Sequence, residues 1–234
     1  MRTSRWITST LVAAFGLVTA AVAQIPAPTV ETPAQRVERF LTAMGGRAAW
    51  AAVAFVHVEA VHYDLVFDHP FTNRIWNDFS RPRVRFEAKN EQIDRRRGVL
   101  DGKGWRLRDG VASKLTAEEV ESDRAWWEAN IYRTLHRLAV GDPDLSARAT
   151  GERRLEVFRA DGRRLNWFEL NATGEPIRFG TWDSEDGGVF GPLASNGSVR
   201  YPKWGTQPDG SWRYEVVRLV SAAAVPSEVS FDVP

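Results

Sequence analysis

The chain contains no cysteine in 234 residues. That excludes disulfides, thiolate metal sites and a cysteine nucleophile. It also excludes lipid attachment at an N-terminal cysteine, so the expected mature protein is soluble. An excess of one charge is missing too, with 31 basic and 30 acidic residues. Nothing in that balance supports nucleic-acid binding, which needs a concentrated basic surface. The chain lacks a Gly-x-Ser-x-Gly elbow, and its serines stand without a His and an acid in a recognisable frame. Gly98-Val-Leu-Asp-Gly102-Lys103 falls one residue short of a phosphate loop, and Gly104 occupies the place of the magnesium-binding Ser or Thr. Glu185 and Asp186 follow Asp183 ahead of two glycines, but the spacing is not that of a calcium loop, and a mobile surface loop is expected.

Long hydrophobic runs are scarce. Leu11 to Ala21 is apolar but shorter than the roughly 20 residues a membrane span requires. Arg2 and Arg5 precede it, and Ala21-Val22-Ala23 follows with small residues, which is the pattern of an export signal. Cleavage near Ala23 is expected to deliver a periplasmic protein that starts at Gln24. The 234 residues less 23 leave 211, which suits one domain, with 29 basic and 30 acidic residues. Without disulfides such a chain relies on its core, and at this length about 70% of its surface can be buried. Residues 24–33 hold three prolines and read as a flexible leader, leaving 34–234 as a single domain.

Tryptophan is plentiful, with ten in the chain and nine after the expected cleavage. The pattern around them is mostly that of strands. Val37, Phe40, Leu41 and Met44 first fall at helical spacing, ended by Gly45, and Arg47 to Ala52 suggests another short turn. Apolar and polar residues then alternate through segments starting at Phe55, Ile75, Val84, Gln92 and Trp105. Asp101-Gly102 between two such runs signals a hairpin, because its turn needs positive φ. Thr116 and Glu119 form a capping box that opens a helix predicted to reach Ala139, with Trp127, Ile131, Leu135 and Leu138 as its apolar stripe. Further strands are expected at Leu155–Ala160, Leu165–Leu170, Ile177–Trp182, Val199–Trp204 and Trp212–Val220. A Gly-rich acidic loop is expected over Asp183 to Asn196, and strand spacing recurs at Val229, Phe231 and Val233. Short hairpins imply an antiparallel sheet, and one of eight or more strands curls strongly. The expected fold is α+β: a large curved antiparallel sheet with an N-terminal and an inserted helix on its concave side.

Three short pieces carry a resemblance. Val99-Leu-Asp-Gly-Lys-Gly-Trp-Arg-Leu107 resembles the hairpin of the bacterial lipoprotein-carrier (LolA/LolB-like) superfamily, whose Asp-Gly-Lys turn leads into a strand beginning with an aromatic residue. Met44-Gly45-Gly46 and Val229-Ser-Phe231-Asp-Val-Pro234 are similar to features of related exported proteins. The resemblance implies an unclosed barrel with helices over a hydrophobic cavity. No cysteine follows the signal, so a membrane-anchored receptor role is not carried over, and neither is lipoprotein shuttling.

His57, Glu59, His62, Asp64, Asp68 and His69 form the densest cluster of potential ligands. Strand alternation puts His57 and Glu59 on one face and Val58, Ala60, His62 and Asp64 on the other, which favours a wall over a metal site. Which face lies inside is open. His62, Asp64 and His69 are the fallback zinc set if the strand end curls. Arg95-Arg96-Arg97 reads as a solvated edge, with anionic lipid headgroups as the alternative partner. Asn171-Ala-Thr173 and Asn196-Gly-Ser198 match glycosylation acceptors, relevant only in a eukaryotic secretory route.

The leading functional expectation is a non-enzymatic protein that binds a hydrophobic small molecule or acyl chain and takes no cofactor. The expected cavity wall comprises Trp76, Trp105, Trp127, Ile131, Leu135, Trp167 and Trp182. The inserted helix would serve as wall or lid, and the Asp183 to Asn196 loop as a flexible rim. A monomer making transient membrane or lipoprotein contact fits this picture. The alternatives are a metal-dependent enzyme using His57 to His69 and an interaction module with a filled core.

Overall fold

A computed structural model describes residues 31–67, 69–182 and 184–233. The signal segment, most of the leader, Asp68 and Asp183 lie outside the described residues.

Helix α1 (Pro33–Ala43) starts from a capping box, in which Thr32 accepts from the Gln35 amide and Gln35 reaches back to the Thr32 amide. A cap of this kind is worth about 1 kcal/mol. Its apolar positions Val37, Phe40 and Leu41 are buried. Arg36 is buried beside them because its guanidinium pairs with Glu31 at 2.8 Å and donates to the Gly151 and Arg154 carbonyls. Helix α2 (Arg47–Ala51) follows at once. Between the two, Gly45 and Gly46 have φ of 112° and 101°. A Cβ on Gly45 would stand 2.0 Å from the Ser198 carbonyl oxygen, so the turn is closed by direct backbone approach.

Strands β1 (Phe55–Asp64), β2 (Phe71–Asp78), β3 (Arg83–Lys89), β4 (Asp94–Leu100), β5 (Lys103–Arg108) and β6 (Val111–Lys114) form a continuous meander. The Asp101-Gly102 turn joins β4 to β5 with φ of 48° and 80°, as its sequence predicts. Helices α3 (Ala117–Glu128) and α4 (Ile131–Val140) come next. The second meander runs β7 (Leu145–Thr150), β8 (Arg154–Arg159), β9 (Arg164–Leu170), β10 (Pro176–Thr181) and β11 (Gly188–Phe190). A separate hairpin of β12 (Leu193–Asn196) and β13 (Val199–Pro202) precedes β14 (Trp204–Thr206) and β15 (Trp212–Ala222). The large sheet has 13 strands in the order β6-β5-β4-β3-β2-β1-β15-β14-β11-β10-β9-β8-β7. Its end strands β6 and β7 do not pair with each other, so the sheet stays open. The expected unclosed antiparallel architecture is what the structure shows.

Two main-chain expectations need correction. The inserted helix is not one helix from Thr116 to Ala139. It ends at Glu128 and restarts at Ile131, because the Asn130 side chain accepts from the amides of Tyr132 and Arg133 and caps a new helix. The proposed stripe is therefore divided. Trp127 packs with Val84 and Val99, while Leu135 and Leu138 join the main core with α1, α2 and the inner face of β8 and β9. The second correction concerns the last third. The stretch 184–196 contains β11 and β12, whereas Val229 and Phe231 are not in a strand. That tail is held by side chains: the Phe231 carbonyl accepts from Trp105 Nε1 at 2.8 Å, and Arg83 lies 5.1 Å from the Phe231 ring. Strand β7, with its plain Leu-Ser-Ala-Arg-Ala-Thr pattern, was not anticipated.

Gly45→Ala should lower stability by about 2 kcal/mol or more, since it adds a positive-φ penalty to a backbone clash. Urea unfolding checks this, and a loss under about 0.5 kcal/mol would show that the turn relaxes freely.

Candidate functional site

Alternation along the strands sorts the side chains of the sheet into two faces. Val58, Ala60 and His62 of β1 look inward, as do Asn73, Ile75 and Asn77 of β2. On the other half of the sheet the inward set includes Asn166, Phe168, Phe179, Trp212 and Tyr214. These residues form the floor of a cavity of about 480 Å³. Its roof is Trp126 and the segment Ala129 to Tyr132, which is the break between α3 and α4. The cavity therefore lies where the helical layer is interrupted. Burial pushes the Tyr132 and Tyr214 phenols up, so both rings are neutral across the ordinary pH range.

The wall is mostly aromatic and aliphatic, with a few polar groups in it. Asn77 is 1% exposed, and neither its Nδ2 nor its Oδ1 has a hydrogen-bond partner among the described residues. Asn166 donates to Thr134 Oγ1 at 2.7 Å and to the Ala129 carbonyl at 3.2 Å, but its Oδ1 is unpartnered. A buried amide without partners costs roughly 1–3 kcal/mol, so this floor is suited to a guest that brings polar atoms or water with it.

The sequence-predicted wall residues are placed as follows. Ile131 and Trp182 line the cavity, Trp182 at its rim with φ of 50°. Trp127 and Leu135 come from the adjoining helices but face the two cores rather than the cavity. Trp127 is fixed there by donating to the Asp78 carbonyl at 2.6 Å, with Arg133 3.7 Å from its ring. Trp76, Trp105 and Trp167 stand on the opposite face of the sheet. Trp76 stacks on His57 at 4.5 Å, under Arg85. Trp105 lies beneath the C-terminal tail. Trp167 donates to the Ser184 carbonyl at 2.8 Å, and its ring fills the space above Gly180, where a Cβ would meet Nε1 at 2.3 Å. Alternation told that neighbouring residues diverge, but a large aromatic residue does not reveal which face it takes. In this fold Trp105 and Trp167 are buried by irregular chain and Trp76 is covered by side chains, and the cavity uses neighbours such as Ile75, Asn166 and Phe168 instead. Cross-strand pairing to Val58 would have located Ile75, whereas Asn166 and Phe168 lie on β9, which pairs only with β8 and β10.

The segment 184–190 is tied down rather than a free rim. Glu185 pairs with Arg154 and Arg164, both at 2.7 Å, and these guanidinium hydrogen bonds hold its carboxyl below the usual range.

The fallback zinc residues are not brought together. His62 is wedged among Phe71, Trp212 and Tyr214, with Asn73 Nδ2 3.2 Å from its Nε2. The Asp64 carboxylate accepts from the Val66 amide and serves the turn, and His69 lies in that turn. Among the described residues no group of three His, Asp or Glu side chains is spaced to hold a metal. His57 stacks on Trp76 on the outer face, so the two histidines of β1 lie on opposite sides of the sheet.

A second hollow of about 370 Å³ adjoins the first, between β4–β5 and α3. It holds Arg95, Arg97, Arg106 and Arg108 and shares Asn73, Phe86 and Arg97 with the apolar cavity. Phe67 of the β1–β2 turn lines it, and the same turn leaves Leu65 and Val66 81% and 83% exposed.

No protein-family model matches the chain, and no curated protein matches it. Solved structures of similar fold include a DUF1329 family protein from Desulfovibrio piger, 8% identical with a TM-score of 0.44 over 85% of this chain and 95% of that one. LprF from Mycobacterium bovis is 11% identical with a TM-score of 0.34, over 87% and 99% of the two chains. MucB in the Pseudomonas aeruginosa MucA/MucB complex is 16% identical with a TM-score of 0.31, over 82% of this chain and 59% of that one. These likenesses are distant, and no residue role is taken from them. The open sheet lidded by helices is the architecture that the lipoprotein-carrier resemblance implied.

Burial lowers the His62 pKa from 6.5 to about 4. The unfolded chain takes up this proton near pH 6.5, and the native state resists it until about pH 4. Stability should therefore be full above pH 6.5 and fall as pH drops toward 4, by up to about 3 kcal/mol from this group. His62→Phe should remove that part of the slope in denaturant unfolding across pH, and an unchanged slope would assign it to other groups.

Proposed function

We propose that this protein is an exported, non-enzymatic carrier or receptor for a lipid-like ligand held in the cavity beneath the α3–α4 break. The observation that carries this reading is the cavity itself. Its volume of about 480 Å³ lies within the roughly 300–1,000 Å³ typical of ligand sites, and its walls are predominantly apolar. Burying an alkyl chain there gains about 0.8 kcal/mol per methylene, before the cost of association. The residues taken to hold the chain are Val58, Ala60, Ile75, Ile131, Phe168 and Phe179. Helix α4 starts at the cavity, so a small tilt about Asn130 would widen the entrance. The N-terminal signal pattern supports export to the periplasm with a mature start at Gln24, and an intact mass matching that start checks the processing. The carrier is taken to act as a monomer.

Trp126, Trp182 and Trp212 line the cavity and should report an occupant. Titration with a fatty acid or lysophospholipid is expected to give a saturable change in tryptophan emission. Native mass spectrometry after mild purification should show a retained amphiphile. Ala60→Phe, which fills the floor, should weaken binding about tenfold, equivalent to losing some two buried methylenes. A flat titration, with no retained ligand, would remove this reading.

A further inference from the structure

The hairpin β4–β5 carries an arrangement for which an apolar chain site has no use. Arg95 stands directly opposite Arg108, and Arg97 directly opposite Arg106. Side chains paired in this way start about 5 Å apart, and like charges so placed lower stability. All four belong to the face turned toward α3. Two are answered from that helix, Arg97 by Asp123 at 2.9 Å and Arg106 by Glu119 at 2.5 Å. Even so, Arg106 Nε is buried without a hydrogen-bond partner among the described residues. Arg95 and Arg108 are exposed, with Arg95 lying 5.4 Å from the Phe67 ring. Neither has a carboxylate partner among the described residues. The repulsion is thus offset at one end of the hairpin and left open at the other.

This groove adjoins the apolar cavity, since Asn73, Phe86 and Arg97 line both. A hydrocarbon alone would leave the arginines unused, and a small anion alone would leave the cavity empty. We infer that the ligand is a single-chain amphiphile with an anionic phosphate-type headgroup. The head lies on Arg95 and Arg108, and the chain passes Phe86 into the cavity. Guanidinium forks from two adjacent strands suit the several acceptor oxygens of one phosphate. The inference rests on the cavity reading above and adds the chemical class of the ligand to it.

Calorimetry with dodecyl phosphate, 1-monododecanoylglycerol and inorganic phosphate, each below any micelle threshold, tests this. Dodecyl phosphate should bind at least about tenfold more tightly than the neutral monoacylglycerol, the scale of one or two charge-assisted hydrogen bonds. That preference should shrink as salt rises from about 20 to about 200 mM, which shortens the Debye length roughly threefold. In the double variant Arg95→Gln/Arg108→Gln the preference should fall to within about twofold, while the melting temperature holds or rises because a like-charge pair has gone. Equal affinity for the two amphiphiles overturns the headgroup assignment and leaves the cavity reading standing. Binding of neither overturns both. Inorganic phosphate binding as tightly as dodecyl phosphate overturns the joined site, and so does a preference that survives in the variant.

Discussion

The cap at Asn130 is the constraint on which the site depends. A continuous helix over Thr116 to Ala139 would lay one ridge of side chains along the sheet and close it. Asn130 instead ends one helix and starts another by taking up the Tyr132 and Arg133 amides. The first helix then belongs to a small core with Val84 and Val99, and the second to the large core under α1 and α2. Between them only Trp126 and the Ala129 to Tyr132 break roof the sheet. The hollow is what remains when two well-packed layers meet at a break, and it does not require poor packing anywhere else.

The sheet is also covered from behind, by less regular means. On the outer face the C-terminal tail lies on Trp105 and the segment around Ser184 lies on Trp167. In both cases the indole N–H donates to a backbone carbonyl of the covering chain. A tryptophan supplies a wide apolar platform and one directional bond, which suits the attachment of chain that has no ladder of its own. Arginines complete the cover, with Arg83 over Phe231, Arg85 over Trp76 and Arg154 over Trp167. The high arginine and tryptophan content of the chain therefore reflects the back of the sheet at least as much as the cavity.

Much of this architecture was legible in the residues. Helix α1, the meander and the Asp101-Gly102 turn follow from local signals, period, caps and turn chemistry, while the openness of the sheet came only with the lipoprotein-carrier resemblance. The break at Asn130 was less accessible, because Asn is tolerated within helices and the apolar spacing continues across it. The site was legible only in part. Ile131 and Trp182 reach the cavity, whereas Trp76, Trp105 and Trp167 turn outward. Alternation divides a strand into two faces, but only tertiary contact says which of them is covered by helices. The facing of His57 and His62 shows the same limit, since their opposition was readable and the inward position of His62 was not. The groups that matter most for polarity, Asn77 and Asn166, carry no motif at all.

Strand order carries a consequence for how the chain assembles. Strand β1 pairs with β15, so the first and last strands of the sheet sit side by side at its middle. Phe55 faces Ala222 and Asp64 faces Trp212 across that seam. Closing it joins segments far apart in sequence, which is entropically costly and slows folding. Until β15 is present, the two meanders are separate half-sheets, each with a bare inner edge able to pair with another chain. The molecule is thus completed by its last strand, and truncation before Trp212 removes the seam rather than an appendage.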